Sequence, residues 1–372
     1  MTIESACCIC DRQGASRRFF RDSAWIETPS PLGESNSFVY DCGFQFLDAP
    51  QDHTMQDLWS IVTSVLGVFL VMAAGAFCRR RDWLTREADR SLANLTANVM
   101  LPAYFVSRIL ESTQFESLSD AWVAPLFGFA FTALGFLVGI LFARSIGPFI
   151  GLDSDSKQRA FALCVGICNY GYIPLPLAEK FYPDAVIELI LHNVGVDLAL
   201  WSVGIAIISG SAGGGWKRAL MSPPFLAVIL ATMIRELTWD DHLPAPILAA
   251  IGALGDCAIP MGLLLSGAII VDFLSDSKWS ASAGVIAAAI CIRQGLIPVL
   301  MLLAAGLFAG TTDLRQVMML QASMPAAVFP IVLVRLYDRD TQTALRVVLS
   351  TGLAAVVLIP VWLAIGEWWL GV

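Results

Sequence analysis

Runs of about twenty largely apolar residues recur along this chain, beginning with DLWSIVTSVLGVFLVMAAGAF at Asp57. That length is what a helix needs to cross a bilayer, since each residue advances it by about 1.5 Å and the hydrocarbon core is about 30 Å thick. Lipid offers no hydrogen bonds, so a spanning segment must satisfy its own backbone, and open strands are excluded. Composition agrees: 57% of the 372 residues are hydrophobic and only 15% charged, with a mean hydropathy of +0.70. A soluble enzyme could not hide that much apolar surface.

The net charge of −8 and the lack of a basic stripe exclude nucleic acid as a partner. Cysteine points to no metal and no cofactor. Cys78, Cys164, Cys168, Cys257 and Cys291 lie in apolar stretches, where a thiol acts as a small hydrophobe. Cys7, Cys8, Cys10 and Cys42 fall in a polar leader, and CCIC lacks zinc-ligand spacing. That leader, residues 1–54, is proline-containing and non-periodic and has no apolar core of a signal peptide. It reads as a disordered tail, or as sequence upstream of a true start at Met55.

A twenty-residue window predicts ten spans, near 58–78, 88–110, 121–146, 157–182, 184–209, 222–237, 248–273, 281–308, 313–337 and 341–369. Lys and Arg in short connections favour the cytoplasm. Starting the first span outside puts Arg79, Arg80, Arg81, Arg144, Lys157, Arg159, Arg335 and Arg339 on the cytoplasmic side, and leaves Arg108, Lys180, Arg235 and Arg315 on the other. Both termini are then outside the cytoplasmic membrane.

Proline positions repeat. Pro102 and Pro260 interrupt spans two and seven, 158 residues apart; Pro174 and Pro330 are 156 apart, and Tyr182 and Tyr337 are 155 apart. The chain thus divides into five-span halves, 55–210 and 211–372, and an odd count inverts the second in the membrane. The expected fold is an all-α membrane protein of ten transmembrane helices, built as two inverted repeats whose broken helices, four and nine, cross. Such breaks persist only inside protein or along a polar cavity, and their half-helix N-termini favour an anion.

A proline frees the carbonyl four residues before it. The residues so affected are Asn98 (Pro102), Tyr170 (Pro174), Asp256 (Pro260) and Gln321 (Pro325), all with polar side chains. For the crossover the sequence offers Cys168, Asn169, Tyr170, Gly171, Tyr172 and Pro174, facing Gln321, Ser323, Met324 and Pro325. Amides and a hydroxyl suit a carboxylate, and glycine permits close approach of the backbone. Ionisable residues within spans are functional suspects: Glu188, His192, Asp197, Asp256 and Arg293. Arg293 either pairs with Asp197 or Asp256 or attracts an anionic substrate. Asp197, one turn beyond Asn193, is the preferred proton-coupling carboxylate, and His192 serves as a structural hydrogen-bonder or a relay.

The segments LCVGICNYGYIPLPLAEKFYP, QASMPAAVFPIVLVRLYDRD and NLTANVMLPAYFVSRI resemble the crossovers and second span of the auxin efflux carrier family of bacterial permeases, a likeness covering roughly 55–372. The resemblance implies a fold like that of sodium/proton antiporters and bile-acid symporters. Spans 1, 2, 6 and 7 would form a scaffold, often dimeric, and 3–5 and 8–10 a mobile transport domain. It also implies an organic anion such as malate, malonate or auxin, bound at Asn169, Pro174 and the Ser323-Met324-Pro325 turn. The chain departs from the pattern in carrying a second proline, Pro176, and in having no asparagine at the second crossover. Three functions follow: a carrier for small organic carboxylates, proton-coupled or facilitative; a sodium-coupled symporter using freed carbonyls; and a membrane sensor or scaffold.

Overall fold

The computed structural model describes residues 53–112, 122–210, 220–239, 242–276 and 283–372. The leader lies outside the described residues except for His53 and Thr54, and Met55 falls in the first turn of the first helix. Seventeen α-helices are described, and no strand pairs beyond one isolated bridge among these residues. In chain order they are α1 (His53–Arg80), α2 (Arg86–Leu95), α3 (Leu101–Glu111), α4 (Val123–Ser145), α5 (Gly147–Ile150) and α6 (Asp155–Gly166). There follow α7 (Pro174–Phe181), α8 (Val186–Ala199), α9 (Ile205–Ser209), α10 (Pro223–Glu236), α11 (Ala245–Asp256) and α12 (Ala258–Asp276). The last five are α13 (Ala283–Cys291), α14 (Ile297–Phe308), α15 (Thr312–Ser323), α16 (Pro330–Leu336) and α17 (Thr341–Leu370).

Local chemistry sets many of these ends. Ser154, Thr311 and Asp340 cap α6, α15 and α17, each side chain accepting a backbone N–H of the first turn. Gly151 and Gly210 close α5 and α9 with positive φ, the left-handed conformation that costs glycine nothing.

Six stretches are long and apolar enough to span a membrane: Trp59–Arg80, Val123–Ser145, Pro183–Ser209, Ala245–Asp272, Ala283–Phe308 and Thr341–Leu370. The protein is therefore all-α and multi-pass. Four of the ten expected spans are not single long helices of this kind. Residues 157–182 and 313–337 are each split by non-helical backbone, α10 has 14 residues, and the second expected span is rich in charge at its start.

Two expected breaks are milder than the proline rule predicts. At Pro102 the helix does not stop: α2 runs into α3 through a π-turn, Thr96–Met100, in which the Leu101 N–H reaches back to the Thr96 carbonyl. One wider turn accommodates the ring and re-pairs the backbone. Near Pro260, α11 and α12 meet at a single turn residue, Cys257, whose carbonyl accepts from Met261 at 3.1 Å. A second π-turn, Ile292–Leu296, precedes Pro298, and a third, Leu200–Gly204, joins α8 to α9.

The helices pack in two groups. In one, α1 lies along α12, and α3 along α10 and α11. Arg79, only 6% exposed, ties this group together through Asp89 and Asp272. In the other, α4 lies between α6 and α8, while α17 packs on α6, α13 and α15. The buried face of α4 is Ala124, Gly128, Thr132, Gly135, Gly139 and Ala143, with Phe136 between. A Cβ on Gly128 would strike the His192 carbonyl, one on Gly135 the Gly166 carbonyl, and one on Gly195 the Pro125 carbonyl. Between helices already surrounded by lipid, packing rather than hydrophobic burial drives association, so this small-residue ladder is what brings α6 and α8 to α4.

Candidate functional site

The second packing group holds the two segments where helix gives way to extended chain. The first lies between α6 and α7, residues 167–173, and the second between α15 and α16, residues 324–329. They run antiparallel and touch. Cys168 and Ala326 form a β-bridge in which the Asn169 N–H donates to the Pro325 carbonyl at 2.8 Å and the Ala327 N–H to the Ile167 carbonyl at 3.2 Å. Proline explains the location, because Pro174 and Pro330 each open the second half-helix and cannot donate backward.

Breaking two helices inside a core leaves carbonyls in need of donors, and the side chains supply them. Gln321, fully buried on α15, donates from Nε2 to the Tyr170 carbonyl at 3.1 Å and to Asn193 Oδ1 at 3.0 Å. Its Oε1 accepts from the Cys168 thiol at 3.1 Å. Arg293, on the Ile292–Leu296 π-turn and 2% exposed, donates to the Met324 carbonyl at 3.2 Å and to the Gln321 carbonyl at 3.4 Å. The Ala326 N–H finds Thr351 Oγ1 on α17 at 3.2 Å. The Tyr170 and Gln321 carbonyls, expected to be freed, are thus both re-paired by side chains. Arg293 beside the Gln321 and Met324 carbonyls also opposes any cation there, which counts against sodium coupling.

The predicted residues divide accordingly. Asn169, Tyr170, Gly171, Pro174, Gln321, Ser323, Met324 and Pro325 lie on or beside the crossing segments. Ser323 turns its hydroxyl to the Leu320 carbonyl of its own helix, at 2.7 Å. Tyr170, Gly171 and Tyr172 are partly exposed, and open space faces the Cα of Gly171. Tyr170 donates its hydroxyl to Asp197 Oδ1 at 2.6 Å, connecting the first break to α8. Elsewhere on α8, His192 is 2% exposed, and neither ring nitrogen meets a partner.

Two expected members are elsewhere. Asn98 is exposed on the first π-turn and donates to the Asn94 carbonyl of its own helix. Asp256 is not a buried charge: its side chain is 71% exposed at the end of α11 and lies 3.6 Å from Arg108. The ion pairs considered for Arg293 do not form, since Asp197 faces Tyr170 and Asp256 faces Arg108.

Other groups escaped the sequence reading. The Gln294 carbonyl accepts from Trp362 Nε1 at 2.7 Å, and Gln294 stands four residues before Pro298, so the same proline rule would have found it. Thr351 was legible as one of two adjacent hydroxyls, Ser350 and Thr351, in the apolar run of its helix. At one end of the molecule Tyr104, Arg108 and Glu179 join α3 to α7, with the Tyr104 hydroxyl and two Arg108 nitrogens all within 2.8 Å of Glu179 Oε1. Arg108 and Glu179 border a cavity of about 480 Å³ that Glu111 and Asp184 also line. Among the described residues, no cluster of His, Cys, Asp and Glu could hold a metal ion.

Comparison with known proteins fits this picture. The family model described as membrane transport protein matches residues 60–215 and 212–363, well over half of the chain. A Methanothermobacter thermautotrophicus protein titled uncharacterized transporter is 25% identical over 309 residues, 80% of this chain and 96% of that protein. Proteins given the same description in Escherichia coli and Methanocaldococcus jannaschii are 22% and 21% identical, over 82% and 80% of this chain and 98% and 96% of theirs. With its multi-pass helical architecture, the chain belongs to the membrane transport protein family, that of the auxin efflux carrier permeases, and is a membrane transporter rather than an enzyme.

Proposed function

We propose that this transporter is a carrier for small organic carboxylates, working by alternating access across the cytoplasmic membrane. The observation that carries the reading is the crossing of two proline-opened segments in a buried, polar core. Tyr170, Gly171 and Tyr172 border an accessible face of that crossing, with Asn169 buried beside them. Backbone unwound inside a membrane protein is retained where it lines a path for substrate. Asn169 supplies an amide, Gly171 leaves room beside the backbone, and Pro174 and the Ser323-Met324-Pro325 turn hold the shape. Arg293, buried behind two carbonyls, lends positive potential without touching solvent.

In this reading the chain forms ten spans in two inverted halves, 55–210 and 211–372, with both termini outside. The group of α1–α3 and α10–α12 is a scaffold and a dimer surface, and the group containing the crossing is the moving part. Asp197, bonded to Tyr170 beside the site, couples transport to a proton. The test is uptake of labelled malonate, malate and indole-acetate into proteoliposomes, with and without an imposed pH gradient. Saturable uptake that rises with the gradient and weakens in Asn169→Ala supports the reading, whereas saturable uptake with unchanged affinity in Asn169→Ala removes the site. Uptake indifferent to the gradient returns Asp197 to a structural role.

A further inference from the structure

Between α4, α8, the end of α6 and the Ile292–Leu296 turn lies a small void, with about 10 Å³ open to the centre of a water-sized particle. Thr132, Gly166, Cys168, His192 and Arg293 line it, with Phe131 and Met301 closing the apolar side. Two of these residues are chemically unfinished. Arg293 carries a permanent charge, yet its hydrogen bonds go to neutral carbonyls. His192 has both ring nitrogens buried and unpartnered. Cys168 has already committed its proton to Gln321. A buried charge is retained where an opposite charge meets it, and buried donors are retained where an acceptor does.

One species meets both demands in a space this small. Water would pair with His192 and leave the guanidinium uncompensated, and a carboxylate is too large. We propose that the void is a binding site for a single monatomic anion, chloride in ordinary salt, held by Arg293 and His192 with the Thr132 hydroxyl beside them. The anion sits inside the packed group, apart from the accessible face of the crossing, and holds Arg293 where it pairs with the Met324 and Gln321 carbonyls. The site goes beyond the carboxylate carrier reading, and its anion would offset much of the positive potential that Arg293 otherwise lends the crossing.

The purified full chain tests this without any organic acid present, by thermal unfolding in chloride against methanesulfonate at equal ionic strength. The expected result is a midpoint about 2–4 °C higher at saturating chloride, reproduced by bromide. Arg293→Gln and His192→Phe should abolish that difference. Should neither variant fold, anomalous scattering from a bromide-soaked crystal of the unmodified protein decides, with a bromine peak in the void expected. Equal midpoints in the two salts, a halide effect that persists in both variants, or a void without bromine overturns the proposal in favour of water. Since no carboxylate enters these assays, their failure leaves the transport reading standing, and a failure of uptake leaves this site standing.

Discussion

Replacing Gln321 by Met keeps the volume of a fully buried side chain and deletes both of its donors. Two acceptors lose their partner, the Tyr170 carbonyl, which Pro174 has already deprived of a helical one, and Asn193 Oδ1. A buried acceptor left unpaired costs about 1–3 kcal/mol. The Asn193 amide can turn, which lowers its share, so Gln321→Met is expected to destabilise the protein by about 2–4 kcal/mol. At about 2 °C per kcal/mol for a chain this large, the unfolding midpoint should fall by roughly 4–8 °C. Intrinsic tryptophan fluorescence of the detergent-purified protein reads this directly. Ser323→Ala is the control: that hydroxyl bonds only a carbonyl of its own helix, and its loss should cost under about 1 kcal/mol. A Gln321→Met midpoint within about 1 °C of the parent would refute the idea that side-chain donors hold the crossing together.

Gly195→Val would put a Cβ into the Pro125 carbonyl and force α4 and α8 apart. A loss of about 3 kcal/mol or more is expected, read as a lowered midpoint or absent folded protein, while Gly352→Val, with open space around it, should cost far less. Glu179→Gln removes the charge on which Tyr104 and Arg108 converge. A double-mutant cycle with Arg108→Gln should give a coupling of about 1 kcal/mol, and a value near zero would make the contact incidental. Asp155, ahead of the first turn of the span that contains α6, is held below the ordinary carboxyl range chiefly by its hydrogen bond from Arg159, against a partial upward push from burial. A depressed folded value means that the stability it confers is present above about pH 4 and is lost as pH falls through the folded value. The contribution should be under about 1 kcal/mol at this half-exposed site, and Asp155→Asn should flatten that part of an acid titration.

The sequence made the long helices and the two crossing segments legible for one reason: both are written in local chemistry. Apolar runs specify spans, and Pro174 and Pro325 disrupt helices wherever the chain goes. What followed each proline was not local. Pro102 is absorbed by a π-turn because α2 and α3 stay packed beside α10 and α12, and nothing in TANVMLP announces that. The partners of Arg293 were misjudged for a similar reason. Charge arithmetic favours a carboxylate, but the carbonyls of Met324 and Gln321, bared by the crossing, reach the guanidinium instead. Asp256 read as buried because its neighbours are apolar, yet its helix turns that side chain outward toward Arg108.

Two N–H···O bonds fasten residues 167–169 to residues 325–327, from stretches of chain some 160 positions apart. Neither strip of extended backbone can slide, twist or retract by itself without snapping the stitch. Any displacement of one half-helix pair must therefore haul the other with it, and the two backbone edges keep their spacing throughout. A ligand seated there would ride in a cradle of fixed shape, and selectivity would be decided once, at the moment of loading, instead of being renegotiated along the way.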